Sequence, residues 1–390
     1  MITVDEARAA LFALIDPLPA EEVDLTDAAG RVLAREVRAS RDQPPFAASS
    51  MDGYAVKVAE VERDAMFKVI GESAAGHRFE GRVGAGQAVR IFTGAPIPKG
   101  ADFVVIQEDV SRNGNLITIT DDPGDKNNIR PAGGDFTTGT PMPAPRMLAP
   151  QDIALLASMN VARVPVTRKP VVALLATGDE LVMPGENPGP DQIIASNSFG
   201  LKAMIEGLGA TARLLPIARD MVSSLRTAFD LARGADLVVT IGGASVGDHD
   251  LVAQVADDLG MERSFYKVAM RPGKPLMAGR LHGAAMVGLP GNPVSAMVCG
   301  HVFLAPMIRK MLGLGTGLPP LRQARLGAPL GQNGPREHYM RAVVEAEAIT
   351  AFDNQDSSLL TLLSQANALL VRPPNDPPHP AGTSVDYLPL

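Results

Sequence analysis

Apolar residues along this chain repeat at two spacings, one helical and one strand-like, and the places where they change over mark its organisation. Near the start, Leu11, Leu14 and Ile15 share a helical face, and Thr3-Val4-Asp5-Glu6 has the form of a capping box. The pattern predicts helical structure from residue 1 to about 40. From Tyr54 to about Asp135 it becomes a series of short alternating segments, AVRIF, FVVIQ and LITIT among them, parted by Gly, Pro and Asn turns. That is the pattern of a small β-domain. Helical spacing returns in LAPQDIALLASMN (148–160), with Pro150 near its start and Asn160 near its end. A β-domain inserted into a helical one explains the order.

From Pro170 strands and helices alternate. VVALLA (171–176), ARLLPIA (212–218), DLVVTIGG (236–243) and AAMVGL (284–289) read as strands. LKAMIEGLG, starting after Ser196-Asn197, SSLRTAFDLAR, LVAQVADDLG and the long VSAMVCGHVFLAPMIRKML read as helices. Such alternation predicts a doubly wound parallel α/β sheet. The last part pairs a hairpin-like REHYMRAVVEAEA with a helical SLLTLLSQANALL and a Pro-rich tail, a small β-rich domain. The expected fold is therefore multidomain α/β. It comprises a helical N-terminal domain (1–44 and 136–169), an inserted β-domain (45–135), an α/β domain (170–318) and a C-terminal β-rich domain (319–390).

Composition narrows the function. A chain of 390 residues with 46% hydrophobic and 20% charged residues has the make-up of a soluble globular protein too large for one core. The net charge of −7 argues against a nucleic-acid partner, because phosphate neutralisation needs a basic surplus. Cys299 is the only cysteine, so no intramolecular disulfide and no cysteine metal cage is available. The six histidines form no ligand pair, and His301, in an apolar run, reads as packed. Asp5, Glu6 and Arg8 stand where a signal peptide would be apolar, and no run is long enough to span a bilayer. A cytoplasmic location is expected.

In an open parallel sheet ligands bind beyond the carboxyl ends of the strands, and four unusual loops are expected there. ATGDEL (176–181) offers Thr177, Asp179 and Glu180; IGGASVGDHD (241–250) offers Gly243, Ser245, Asp248 and Asp250. RPGKP (271–275) holds Lys274 between prolines, and LPGNPVS (289–295) leads into a helix whose backbone N–H groups would face an anion. Each loop alone has a plainer explanation in packing or capping. None matches a nicotinamide or P-loop signature. Together, phosphate-cradling glycines beside Asp179, Glu180, Asp248 and Asp250 call for an intervening hard cation such as Mg²⁺, with Arg271 and Lys274 as fixed positive charge; the alternative is that these acids only cap helices and face water. A further ordered turn, PPFAASSMDGYAV (44–56), presents one carboxylate, Asp52.

MDGYAV, RIFTGAPIP, TGDEL, GGASVG, RPGKP and LPGNPVS, in this order, resemble the molybdopterin molybdenumtransferase family (MoeA and the E domain of gephyrin-like proteins). The likeness runs from Val4 to QDSSLLTLLSQANALL. It implies an enzyme that inserts molybdate into adenylated molybdopterin and releases AMP, assisted by a divalent cation. It also implies a homodimer, with other proteins of molybdenum cofactor biosynthesis as further candidate partners and no membrane partner. Carried over by position, Thr177, Asp179, Glu180, Asp220, Gly243, Ser245, Asp248, Lys274, Pro290, Asn292 and Pro293 would bind the pterin, nucleotide and metal. Glu180 and Asp248 would hold the metal. Asp52, Thr93 and Asp135 would come from the partner subunit, and Arg336, Arg341 and Ser358 would sit near the molybdate. On this reading Asp52, Glu180, Asp248 and Lys274 do the chemistry.

Two departures stand out against that pattern. Ala47-Ala48 replaces polar residues before MDGYA, and Gly134 stands in RPAGGDF where an acid is frequent. Two other functions fit parts of the resemblance: adenylation of molybdopterin by the α/β domain, and a non-catalytic scaffold.

Overall fold

A computed structural model describes residues 1–243, 251–315 and 321–390. The chain forms two compact units, one of Met1–Glu21, Gly30–Ala34 and Val166–Leu390, the other of Glu22–Ala29 and Arg35–Pro165. The expected capping box is formed: the Thr3 hydroxyl accepts the Glu6 amide at 3.2 Å, and Glu6 accepts the Thr3 amide at 2.8 Å. It opens α1 (Val4–Phe12), which buries Val4, Ala7 and Leu11. The helix goes no further. Residues expected to stay helical to about 40 instead form strands at Ala20–Asp24, Val32–Leu33 and Val37–Arg38. Pro17 and Pro19 lack amide donors and hold the residues before them extended, and the apolar positions beyond them keep no helical repeat.

The smaller unit holds the predicted β-domain. Its strands are β1 (Gly53–Val56), β2 (Met66–Ser73), β3 (Gln87–Ile91), β4 (Phe103–Ile106), β5 (Val110–Asn113) and β6 (Leu116–Ile119), ordered β4-β1-β3-β2-β6-β5. Alternation sends Tyr54, Val56, Phe67, Phe103, Val105 and Ile117 to one core and Ala55, Ile91 and Val104 to another. In the same unit α2 (Pro150–Ser158) starts at the expected proline. Asp152 accepts the Ala149 amide at 3.0 Å and pairs with Arg146 at 2.7 Å.

The larger unit carries the α/β sheet, of β7 (Val171–Ala176), β8 (Thr211–Leu214), β9 (Leu237–Ile241), β10 (Glu262–Lys267), β11 (Pro275–Leu281) and β12 (Ala284–Leu289). The order is β8-β7-β9-β12-β11-β10. The first four strands are parallel, as expected, and β11 runs antiparallel to both its neighbours. Helices cover both faces. Val172 and Leu174 pack with α3 (Asn197–Gly207), α6 (Pro293–Cys299) and α7 (Ala305–Met311). Ala173 and Leu175 pack with Leu225 and Phe229 of α4 (Val222–Leu231) and Val252 and Val255 of α5 (Leu251–Asp258). Burying each large apolar side chain there contributes about 2 kcal/mol.

The predicted long helix is continuous from Pro293 to Met311 but widens to a π turn at Gly300–Leu304. Pro306 has no amide to donate to the Val302 carbonyl, and Arg8 Nε takes that acceptor at 3.5 Å. His301 lies in this turn, and burial lowers its pKa to about 4.

Residues 322–389 contain β13 (Arg322–Leu326), β14 (Glu337–Glu345), β15 (Ala348–Ala351), α8 (Leu360–Gln365), β16 (Ala368–Arg372) and β17 (Ser384–Pro389). Pairing runs β14-β15-β13-β17-β16 and back to β14, which closes a barrel around Leu326, Ile349, Leu370 and Tyr387. The ALL of SLLTLLSQANALL, expected to be helical, lies in β16. Asn367 breaks the helix by exchanging side-chain hydrogen bonds with the Val344 backbone at 2.7 and 2.9 Å.

Candidate active site

A cleft of about 1010 Å³ opens at the carboxyl ends of the parallel strands. Thr177 and Glu180, beyond β7, line it with Asp220, Gly243, Pro290, Asn292, Pro293 and Ser358. RPGKP reaches the same edge because the strand it precedes, β11, is antiparallel, so its start lies beside the end of β12. Pro275 lines the cleft and Lys274 is exposed next to it. Ser245 and Asp248, and with Asp248 half of the expected metal pair, lie outside the described residues.

The TGDEL turn is built to present acid. Gly178 has φ +145°, and a Cβ there would lie 2.4 Å from Glu180 Oε2, so the carboxylate occupies the space a side chain would take. Asp179 accepts the Asp220 amide at 3.1 Å. Arg219, overlooked in the sequence, donates to the Asp179 and Leu181 carbonyls at 2.8 and 3.2 Å and so ties this turn to the next. Burial, then Asp179 and Glu180, push the Asp220 carboxyl above its ordinary pKa. Among the described residues none of these three carboxylates has a cation within ion-pair distance. They form a cluster of negative charge.

Other groups lining the cleft are able to meet a ligand. Thr177 Oγ1 is buried at the cleft wall with no hydrogen-bond partner among the described residues, a costly state that a bound polar group would relieve. Gly243 has φ +66°, and its Cβ would strike Val252 at 2.2 Å, so only glycine fits this turn. Asn197, read in the sequence only as a helix start, also lines the cleft and donates to the Gly291 carbonyl at 2.7 Å. Ile193 and Ile194, 59% and 38% exposed, form an apolar wall.

The turn after β12 departs from expectation. Pro293 has no amide and the Val294 amide donates to the Ser357 carbonyl at 3.1 Å, so neither is available to an anion. Asn292 donates to Ser357 Oγ at 3.0 Å, which makes Ser357, beside the expected Ser358, part of the site's frame. Ser358 itself donates to Asp356 at 2.7 Å.

Of the expected basic residues, Arg341 is 1% exposed and its guanidinium is spent on Leu359 O at 3.0 Å, Asn354 O at 3.2 Å and Gln355 Oε1 at 3.4 Å. It holds the loop that carries Ser357 and Ser358. Arg341→Met should therefore cost about 1–3 kcal/mol, since the guanidinium's bonds to Leu359, Asn354 and Gln355 are lost together. Urea unfolding checks this, and a midpoint unchanged from the parent protein would contradict it. Arg336 reaches the Met270 carbonyl at 3.4 Å. Around it, burial and then Arg271, Arg372, Arg336 and Arg341 lower His338 to about 4, so this region is cationic.

Asp52, Thr93 and Asp135 lie in the other unit. Asp52 caps β1, between the ends of β3 and β4. Its Oδ1 accepts the Thr93 amide at 2.7 Å and the Thr93 hydroxyl at 2.8 Å. These bonds, with a smaller contribution from Arg90, hold the carboxyl below its ordinary pKa. Asp135 is exposed, its amide donating to the Gln43 carbonyl at 2.9 Å. Ala48 is 4% exposed and pairs with Arg130, so it is packed against backbone. Ser49 supplies polarity inside the turn, donating to the Met51 carbonyl at 2.6 Å. A Cβ at Gly134 would sit 3.1 Å from the Pro131 carbonyl, a tight place for any side chain.

Comparison with known proteins follows the same divisions. Family models match over residues 2–160 (MoeA N-terminal region, domain I and II), 173–310 (probable molybdopterin binding domain) and 323–390 (MoeA C-terminal region, domain IV). A molybdopterin molybdenumtransferase from a Nostoc species is 35% identical over 393 residues, covering 96% of this chain and 90% of that protein. One from Haemophilus influenzae is 38% identical over 317 residues, covering 80% and 78%. A molybdopterin biosynthesis MoeA protein from Pyrococcus horikoshii has a similar structure, with a TM-score of 0.85 at 29% identity, covering 99% and 98%.

Proposed function

The chain belongs to the MoeA family of molybdopterin molybdenumtransferases, and from that premise we propose that its cleft takes adenylated molybdopterin and molybdate and releases AMP. It is a transferase of molybdenum cofactor biosynthesis. One observation carries the detailed reading: Glu180 and Asp220 line the cleft, Asp179 holds the Asp220 amide, and among the described residues these carboxylates have no cation within ion-pair distance and the buried Thr177 hydroxyl has no hydrogen-bond partner. An anionic ligand would be repelled there unless a cation came with it.

The all-carboxylate donor set suits Mg²⁺. Glu180 and Asp220 would hold it, with Asp248 as the further ligand proposed from the motif. Among the described residues no three such side chains are arranged around one point, so ligand oxygens would complete the shell. When bound, Mg²⁺ takes up the charge that grows on the phosphate leaving with AMP. Thr177 and Asn197 would orient the ligand, and Ile193 and Ile194 would keep water from its ring system. Arg271, Lys274 and Arg336 would attract the molybdate dianion.

Asp52, Thr93 and Asp135 would enter the cleft from a second copy of the chain, making the working enzyme a homodimer. No helix among the described residues is long and apolar enough to cross a membrane, and we place the protein in the cytoplasm.

Incubating the protein with adenylated molybdopterin, molybdate and Mg²⁺ should release AMP, and a chelator should stop it. Tight ligand binding with no AMP above background would leave a binding protein in place of the enzyme.

A further inference from the structure

Arg90 lies on β3, directly across from Tyr54 on β1. Its guanidinium is sandwiched, 5.1 Å from the Tyr54 ring centre and 4.7 Å from that of Phe92. One nitrogen donates to the Gly53 carbonyl at 3.2 Å, and another donates to Gln107 Oε1 at 2.6 Å. The Gln107 amide in turn donates to the Asp52 carbonyl at 3.0 Å. A single side chain thus reaches from β3 across β1 to the residue that follows β4. It joins the Gly53 carbonyl, the one after Asp52, to the side chain of Gln107, whose backbone amide holds the Asp52 carbonyl.

We infer that Arg90 is a positioning residue: a strap across three strands that fixes the Asp52 turn, so that the carboxylate meets its target without searching. The inference rests on the reading that Asp52 acts in the transfer. A planar fork stacked between two rings suits this task, because it is held in orientation as well as in place. Lysine would keep the charge but lacks the planar fork that aims one N–H at Gly53 and another at Gln107. Arg90 does not touch the reacting atoms; it acts through Asp52. Orientation is where such a residue exerts its effect, since displacing a reacting group by about 1 Å can cost about 100-fold in rate.

The test compares Arg90→Met and Arg90→Lys in the full-length protein, with Asp52→Ala alongside. Amide hydrogen exchange read by mass spectrometry follows Thr93 and Gln107, whose N–H groups both donate to Asp52. Arg90→Met should speed exchange at these two amides about 10-fold, with the β2–β6 and β6–β5 pairings unchanged. It should also lower kcat for AMP release about 10-fold, with KM within about twofold of the parent. Arg90→Lys should fall between the two proteins in both measurements. Unchanged protection at Thr93 and Gln107 in Arg90→Met would overturn the strap. So would faster exchange with an unaltered kcat. If instead Asp52→Ala itself turns over at the parental rate, the reading of Asp52 fails, while the exchange data still decide whether Arg90 holds the turn.

Discussion

Asp52→Ala should lower AMP release by at least about 100-fold while adenylated molybdopterin binds within about twofold of its parental affinity. The geometry behind this is specific. Thr93 uses both its amide and its hydroxyl on Oδ1 of Asp52, which leaves Oδ2 without a partner among the described residues. A carboxylate fixed by one oxygen and bare at the other is placed to receive a ligand. Its pKa is held down by those same bonds, so it stays charged through the neutral range. On the proposed reading the ligand's other contacts would belong to Thr177, Glu180 and Asn292, which line the cleft and which the substitution leaves alone. Equilibrium binding of adenylated molybdopterin and the AMP assay separate the two effects. Parental turnover would remove Asp52 from the mechanism.

Gly178→Ala should be nearly as damaging as Glu180→Ala, about 100-fold in kcat, although it adds only a methyl group. The new Cβ would fall 2.4 Å from Glu180 Oε2 and 2.7 Å from its Cδ, so the carboxylate must swing out of the position it occupies. The backbone objects as well: φ +145° is a conformation that an L-residue reaches only at a cost of about 1–3 kcal/mol. The two causes are separable. If displacement of Glu180 is what matters, the Gly178→Ala/Glu180→Ala double variant should be little slower than Glu180→Ala alone. Fully multiplied losses in the double variant would mean that strain elsewhere in the turn is responsible.

Much of this arrangement could be read along the chain. The strand VVALLA begins and ends where its apolar run does, because both its faces are buried under helices. The loops that follow it, β9 and β12 gather at one edge because parallel strands place them there. RPGKP joins them for a different reason, the reversal of β11, which periodicity does not show: PLMAGRL has a glycine and an arginine inside it, and ERSFYK of β10 reads as solvated. Residues 20–38 misled because their charged positions resemble a helix surface, while pairing with other strands decides their form. Arg219, Asn197 and Ser357 were illegible for a related reason. Their partners are backbone atoms 38 to 94 positions away in Arg219 and Asn197, and in Ser357 an amide 65 positions away. Arg341 shows the reverse case: its basic character is plain in the sequence, and only burial reveals that the charge is spent on holding a loop.

The central claim is that one working site draws residues from two copies of the chain, and subunit mixing tests it directly. Asp52→Ala and Glu180→Ala are each expected to be inactive as homodimers. In a mixed dimer, one of the two sites would receive both an intact Asp52 and an intact Glu180. With random assortment half the dimers are mixed, so co-expressed or co-refolded variants should recover about one quarter of the parental AMP release. Recovery near that level is the predicted result. A mixture as inactive as either variant alone, with mixed dimers shown to be present by mass, would contradict the account.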